Sequence, residues 1–76
     1  TYYERNLPER AADVFATMLR IAPDCPRALV NLGHALNASG HHAEAERYAR
    51  RAIQVDRLSP RAHYLLGLTL LMLHKN

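Results

Sequence analysis

The sequence predicts an all-α protein built from repeated helix pairs, and two observations carry this prediction. The string Pro26-Arg27-Ala28, Leu32-Gly33, Leu36 recurs thirty-four residues later as Pro60-Arg61-Ala62, Leu66-Gly67, Leu70. A fixed period of about 20 to 50 residues is typical of proteins that stack one supersecondary unit repeatedly. Within each unit the apolar residues follow the spacing of a helix that buries one stripe.

The same offset divides the chain into repeats. Residues 26–59 form one complete unit, residues 1–25 the later part of a preceding unit, and residues 60–76 the first helix of a further unit. In the first part the identities fade but the apolar pattern persists, so that Ala11 aligns with Ala45. We therefore expect a single repeat domain cut from a longer array.

The first helix is predicted over Pro8 to Ile21. Pro8 and Glu9 suit a first helical turn, and Pro23 enforces the end of the helix. The apolar stripe of this helix consists of small or apolar residues at helical spacing, namely Ala11, Val14, Phe15, Met18 and Leu19.

The second helix is predicted over Arg27 to Ser39 and ends at Ser39-Gly40, a typical helix stop. Gly33 lies in the middle of this helix, where glycine costs about 1 kcal/mol relative to alanine. A close helix crossing would explain this glycine. We expect Gly33 to meet Ala45, a small residue of the following helix, at that crossing.

The third helix is predicted over Ala43 to Val55, with acidic residues early and arginines late. This order complements the helix macrodipole and places Glu46 one turn before Arg50, where the two can form an ion pair. The fourth helix begins at Pro60, and Ser59 is its expected cap.

Composition adds limits to this interpretation. The single cysteine, Cys25, excludes an internal disulfide, and no signal segment opens the chain. The apolar run near the end is too short to cross a bilayer, so a soluble protein is expected, with the cytoplasm favoured. The net charge is +3, yet the arginines do not cluster and the tyrosines do not alternate with them, which disfavours nucleic-acid binding.

The repeat resembles the tetratricopeptide family, whose unit of 34 residues is a helix, a turn and a helix. The complete unit shows Leu29, Leu32-Gly33 and Leu36 at the family spacing, followed by Gly40 at the turn. The resemblance covers essentially the whole chain. It implies a right-handed superhelical array of antiparallel helix pairs, an α-solenoid, in which the first helix of each pair lines a concave inner wall.

A peptide-binding groove follows from this resemblance. Its expected residues lie on the first helices, facing away from the buried stripe: Arg27, Val30, Asn31, His34, Asn37, Arg61, Tyr64, Leu65 and Leu68. Arg27 and Arg61 hold equivalent places and should stand side by side, able to bind a carboxylate. The expected ligand is a peptide with an acidic group or terminal carboxylate flanked by apolar side chains.

Two alternatives stay open at this stage. Arg27 and Arg61 are equally well interpreted as solvated first-turn residues, and Asn31 as a structural residue. The leucines of the last helix either form a binding wall or are covered by a neighbouring subunit or by further chain.

Self-association is a further expectation, because the last helix is apolar almost all round. Its expected contact residues are Leu66, Leu70 and Leu73, in a homodimer or higher oligomer. The partner surface would be the same helix of a second copy or the segment around Tyr2 and Tyr3.

Enzyme chemistry finds little support in the sequence. None of the five histidines lies three or four residues from another, the spacing that would place two metal ligands on one helix face. No metal, cofactor or catalytic residue is predicted. The expected function is a protein-interaction scaffold; the alternative is a repeat region that mediates self-association or accompanies a catalytic domain, such as a transferase, outside this chain.

Overall fold

The computed structural model describes residues 7–75, with side chains from residue 10 onward. These residues form four helices and no strand, which confirms the all-α prediction. The helices are α1 (Leu7–Ile21), α2 (Pro26–Ala38), α3 (His42–Val55) and α4 (Pro60–His74). The predicted starts of all four helices and the predicted ends of the first three lie within one residue of the observed ones. The expectations for Tyr2 and Tyr3 lie outside the described residues.

The end of α2 shows why its stop was predictable. Gly40 has a φ of 87°, a left-handed conformation that glycine adopts without a steric penalty. The turn lets the His41 N–H donate to the Leu36 carbonyl at 2.8 Å and the Gly40 N–H donate to the Asn37 carbonyl at 3.1 Å. Two carbonyls that the helix leaves without partners are thereby satisfied.

The start of α4 confirms the predicted cap. The Ser59 hydroxyl accepts a hydrogen bond from the Ala62 N–H at 3.2 Å, and Pro60 follows in the first turn, where no N–H is needed. Pro26 opens α2 in the same way, although Cys25 before it makes no side-chain cap bond. Both first-turn prolines thus belong to the repeated string of the sequence.

Packing places α2 at the centre of the described residues. Each helix packs against the next, and α2 also packs against α4. Because the connecting turns are short, consecutive helices run antiparallel, and α2 and α4 therefore run in the same direction. Leucines and alanines fill the core; the main buried residues are Leu29, Leu32, Leu36, Ala45, Ala49, Ala52, Ala62 and Leu65.

Gly33 creates the close approach between α2 and α4. A Cβ atom built on Gly33 would overlap with Cδ2 of Leu65 and would lie 3.3 Å from Leu65 Cγ. The crossing expected at Gly33 therefore exists, but its nearest side chain is Leu65 of α4 and not the predicted Ala45. Leu65 is fully buried and occupies the space that a side chain at position 33 would take.

Two ion pairs lie on the exposed surface of α3. Arg50 contacts Glu46 at 2.9 Å, as the helical spacing predicts, and Arg51 reaches Asp24 in the turn before α2 at 3.2 Å. Exposed pairs of this kind stabilise a fold by about 0 to 1 kcal/mol. They therefore matter less to the fold than the buried leucines do.

Gly33 and Gly67 hold the same place in the repeat but should respond oppositely to alanine. Apart from the chain neighbours and backbone of its own helix, no described atom lies within 4 Å of a Cβ at Gly67, so Gly67→Ala should raise the free energy of unfolding by up to about 1 kcal/mol through helix propensity. Gly33→Ala gains the same propensity but must displace buried Leu65, an overpacking that typically costs about 1 to 3 kcal/mol.

Urea denaturation followed by circular dichroism would measure both variants. We expect Gly33→Ala to be less stable than Gly67→Ala by at least about 1 kcal/mol. Equal stabilities would show that Leu65 does not hold the position described here.

Candidate functional site

Arg27 and Arg61 line one open depression at the N-terminal ends of α2 and α4. Pro26, Val30 and Ser59 complete its lining among the described residues, and none of these carries a carboxylate. The two helices run in the same direction and begin with the same Pro-Arg-Ala string, which brings the two arginines to one place. Both side chains are exposed.

The charge of these two arginines is not neutralised within the described part of the chain. Neither Arg27 nor Arg61 forms an ion pair there, whereas Arg50 and Arg51 on α3 each contact a carboxylate. The guanidinium group presents its donors in a planar fork that fits a carboxylate. An unpaired pair of such groups in one depression is suited to an anionic ligand.

His34 and Tyr64 extend this surface along α2 and α4. Their ring centroids lie 6.3 Å apart with a tilt of 38°, and the Tyr64 side chain is 65% exposed. Partial burial lowers the pKa of His34 below its usual value, and the nearby positive charge of Arg61 lowers it further. His34 is therefore held in its neutral form more strongly than a free histidine.

Two predicted groove residues have buried side chains, although Val30 still lines the arginine depression. Val30 is 4% exposed and Leu65 is fully buried, and both belong to one core cluster with Leu29. Their burial differs from the expected exposure because α2 packs against three helices and buries more than one face. The remaining apolar groove residue of α4, Leu68, is half-buried, and so is Asn31.

The Asn37 side chain forms hydrogen bonds to neighbouring helices, whereas the sequence placed it at an open groove position. Its Nδ2 donates to Thr69 Oγ1 at 2.8 Å. Its Oδ1 lies 2.9 Å from His42 Nδ1 and accepts a hydrogen bond from the His42 tautomer that is protonated at Nδ1. Thr69 in turn donates from Oγ1 to the Leu65 carbonyl at 2.7 Å. Side chains of α2, α3 and α4 are thus joined in one chain of hydrogen bonds.

Sequence reasoning did not identify Thr69 and His42 as members of this network. Thr69 is fully buried, and its one sequence signal is that it interrupts the apolar run of α4. The partner of a buried hydroxyl is fixed by tertiary packing. A hydrogen bond across 32 residues therefore leaves no trace in local periodicity.

The residues expected to mediate self-association are partly covered by the chain itself. Leu66, Leu70 and Leu73 are all half-buried, and Leu66 packs against the core cluster that contains Leu65. The most exposed leucine of α4 is Leu71, which is 55% exposed. The apolar surface of α4 is thus smaller than its sequence suggests.

Metal binding and membrane spanning are two further properties that the described residues can be checked for. Residues 7–75 contain no group of three or more His, Cys, Asp or Glu side chains that could hold a metal ion. In the same range, none of the helices combines the length and the apolarity that spanning a membrane requires.

Comparison with known families supports the repeat pattern. A family model described as tetratricopeptide repeat matches residues 2–68, most of the chain. The chain belongs to the tetratricopeptide repeat family. Tetratricopeptide repeats generally mediate protein–protein interaction and are typically not catalytic. Searches of curated proteins and of solved structures gave no significant match to the chain.

The Asn37–Thr69 hydrogen bond of this tetratricopeptide repeat chain can be tested by a double-mutant cycle. Thr69→Val keeps the shape of the side chain but leaves the Asn37 amide without its acceptor, which should cost about 1 to 3 kcal/mol of stability. Combined with Asn37→Ala, the cycle should give a coupling energy of about 0.5 to 3 kcal/mol.

Thr17→Val is the matched control, because the Thr17 hydroxyl bonds to the Asp13 carbonyl on the exposed side of α1. This variant should change stability by less than about 0.5 kcal/mol. Thermal or urea unfolding would measure the stability of the four proteins of the cycle and of the Thr17→Val control. A coupling energy of zero between positions 37 and 69 would contradict the hydrogen bond.

Proposed function

We propose that this protein is an interaction scaffold that binds an extended peptide along the groove surface, defined here as the exposed surface formed by Arg27, His34, Arg61, Tyr64 and Leu71. The observation that carries the proposal is the depression shared by Arg27 and Arg61, two cations that meet no carboxylate of the described residues there. Membership of a family that generally mediates protein–protein interaction supports the same conclusion.

The architecture behind this proposal is a segment of a right-handed superhelix. In it, residues 26–59 are one complete repeat, residues 1–25 complete the preceding repeat, and residues 60–76 begin the next. The packing of α2 against α4 supports this arrangement, because the first helices of successive repeats are then neighbours. Their exposed side would form the inner wall.

The ligand proposed for the groove is a peptide with an acidic group, preferably a terminal carboxylate, followed by apolar residues. The arginine depression would bind the carboxylate through charge-assisted hydrogen bonds. Farther along the helices, Tyr64 and Leu71 offer exposed apolar surface, with half-buried Leu68 beside them. The half-buried amide of Asn31 is retained as a contact to the peptide backbone. Val30 contributes only to the floor of the depression.

The binding proposal predicts which variants lose affinity. A panel of fluorescein-labelled acidic peptides, each with a free or an amidated C-terminus, would be titrated with the protein and followed by fluorescence anisotropy. Arg27→Ala combined with Arg61→Ala should raise Kd by at least about tenfold, which corresponds to about 1.4 kcal/mol. Binding by the unsubstituted protein should weaken with added salt, because the arginines are exposed.

Arg47→Ala is the matched control, since Arg47 is an exposed arginine of α3 outside the groove surface. Arg47→Ala removes one positive charge, as each of the two groove substitutions does, so an effect of overall charge on Kd would also appear in this variant. Equal binding by the double variant and the unsubstituted protein would contradict the proposal. Stronger binding of oligonucleotides than of peptides would instead assign the arginines to nucleic-acid recognition.

Self-association is the second candidate function, and exposed apolar side chains favour it. Leu71 and Tyr64 of α4 and Val14, Met18 and Ile21 of α1 are all substantially exposed. Burying a leucine side chain contributes about 1.5 to 3 kcal/mol, so covering α4 with a second copy would be favourable. We retain Leu66, Leu70 and Leu73 as the proposed contact, in a dimer or larger assembly.

Size exclusion with light scattering tests this candidate over a range of protein concentrations. We expect a dimer or larger species, and Leu70→Lys combined with Leu73→Lys should shift it toward monomer. Leu58→Lys is the control, because Leu58 is exposed in the turn before α4 and its substitution adds one positive charge, as each of the two α4 substitutions does. A monomer at every concentration would contradict self-association through α4 and leave the peptide-binding proposal unaffected.

A further inference from the structure

His34 lies on the groove surface beside the arginine depression, and the binding scheme above gives it no role. Its ring faces Tyr64, and Arg61, which lines the depression, is close enough to act on it electrostatically. Val30 and Arg61, which line the depression, each lie one helical turn before a member of the ring pair, His34 and Tyr64, so the ring pair adjoins the depression. A ligand that changes the charge around Arg61 must also change the surroundings of His34.

The charged and titratable groups around His34 define this coupling. Three helices pack against α2. From α4 the groups are Arg61 and Tyr64; among the described residues, neither α1 nor α3 contributes a charge that shifts the pKa of His34. In the absence of ligand, partial burial and the Arg61 charge both oppose protonation. Two effects thus favour the neutral imidazole, and a bound anion would offset one of them, the positive charge of Arg61.

We propose that His34 takes up a proton when an acidic peptide binds at Arg27 and Arg61, so that the groove binds such peptides more tightly as the pH falls. This inference rests on the proposed function. A carboxylate that pairs with Arg61 offsets the positive charge that repels the imidazolium. The negative charge of the ligand also attracts the imidazolium directly, and a protonated His34 can donate a further hydrogen bond.

The sign and range of the effect follow from linkage between binding and protonation. The carboxylate raises the pKa of His34 from its lowered value in the free protein. The extra affinity is therefore fully present below the free-protein pKa and is lost as the pH rises through the pKa of the complex. Each pH unit that separates the two pKa values changes Kd by about tenfold. Carboxylates of the peptide stay ionised throughout, because their pKa values lie near about 4.

The test is the pH dependence of Kd for one peptide. A fluorescein-labelled octapeptide with a glutamate-rich sequence and a free C-terminal carboxylate would be titrated from about pH 5.5 to about pH 8, the range in which histidine changes charge. The proteins compared are the unsubstituted protein, His34→Gln, and His74→Gln as the control, since His74 is exposed at the far end of α4. In parallel, NMR would follow the His34 C2–H chemical shift against pH, with and without peptide.

We expect Kd to fall several-fold as the pH drops in the unsubstituted protein and in His74→Gln, but to stay nearly constant in His34→Gln. The NMR titration of His34 should move to higher pH when peptide is present. An equal pH dependence in His34→Gln, or an unmoved NMR titration with bound peptide, would overturn proton uptake at His34 while leaving peptide binding intact. Absence of binding at every pH would overturn the proposed function, and this inference with it.

Discussion

The insertion of Leu65 over Gly33 determines how α2 and α4 fit together, and the groove surface depends on that fit. A side chain at position 33 would occupy the space of a fully buried leucine. Because glycine leaves this space free, the two helices, which run in the same direction, pack directly against each other. Their first turns then bring Arg27 and Arg61 into one depression. The depression shared by the two arginines thus depends on the absence of a side chain at Gly33.

Hydrogen bonds reinforce the same packing at a second level. Thr69 is the buried polar side chain of α4, and its hydroxyl both accepts from Asn37 and donates to the Leu65 carbonyl. His42 extends this network to α3. A buried polar group is costly unless its partners are in place. The network therefore favours one register of the three helices, whereas leucines and alanines alone would tolerate several.

Local signals made the helices predictable, whereas contacts between distant helices were not predictable from the sequence unless the repeat itself relates the two residues. The cap at Ser59 depends on neighbouring residues, so its sequence position was sufficient. The crossing at Gly33 was expected because glycine is costly inside a helix, but Leu65 as its partner depends on which helix lies beside α2. Val30 was expected on an exposed face but is buried, because a central helix buries several faces. Asn37 was expected in an open groove but donates a hydrogen bond to Thr69, an acceptor 32 residues away. The arginine pair was predictable, since the repeat itself brings equivalent residues together.

The buried leucine between α2 and α4 also fixes the width of the groove. Separating the two helices would withdraw Leu65 from its pocket, and emptying a leucine-sized space costs about 2 to 5 kcal/mol. That cost is comparable with the whole free energy of unfolding of a small domain, about 5 to 15 kcal/mol. Adjustment to a ligand is therefore confined to side-chain rotations of Arg27, Arg61 and Tyr64. A peptide that binds as proposed would have to arrive in a backbone conformation that suits this spacing, so the proposed groove would select among conformations that the free peptide already samples.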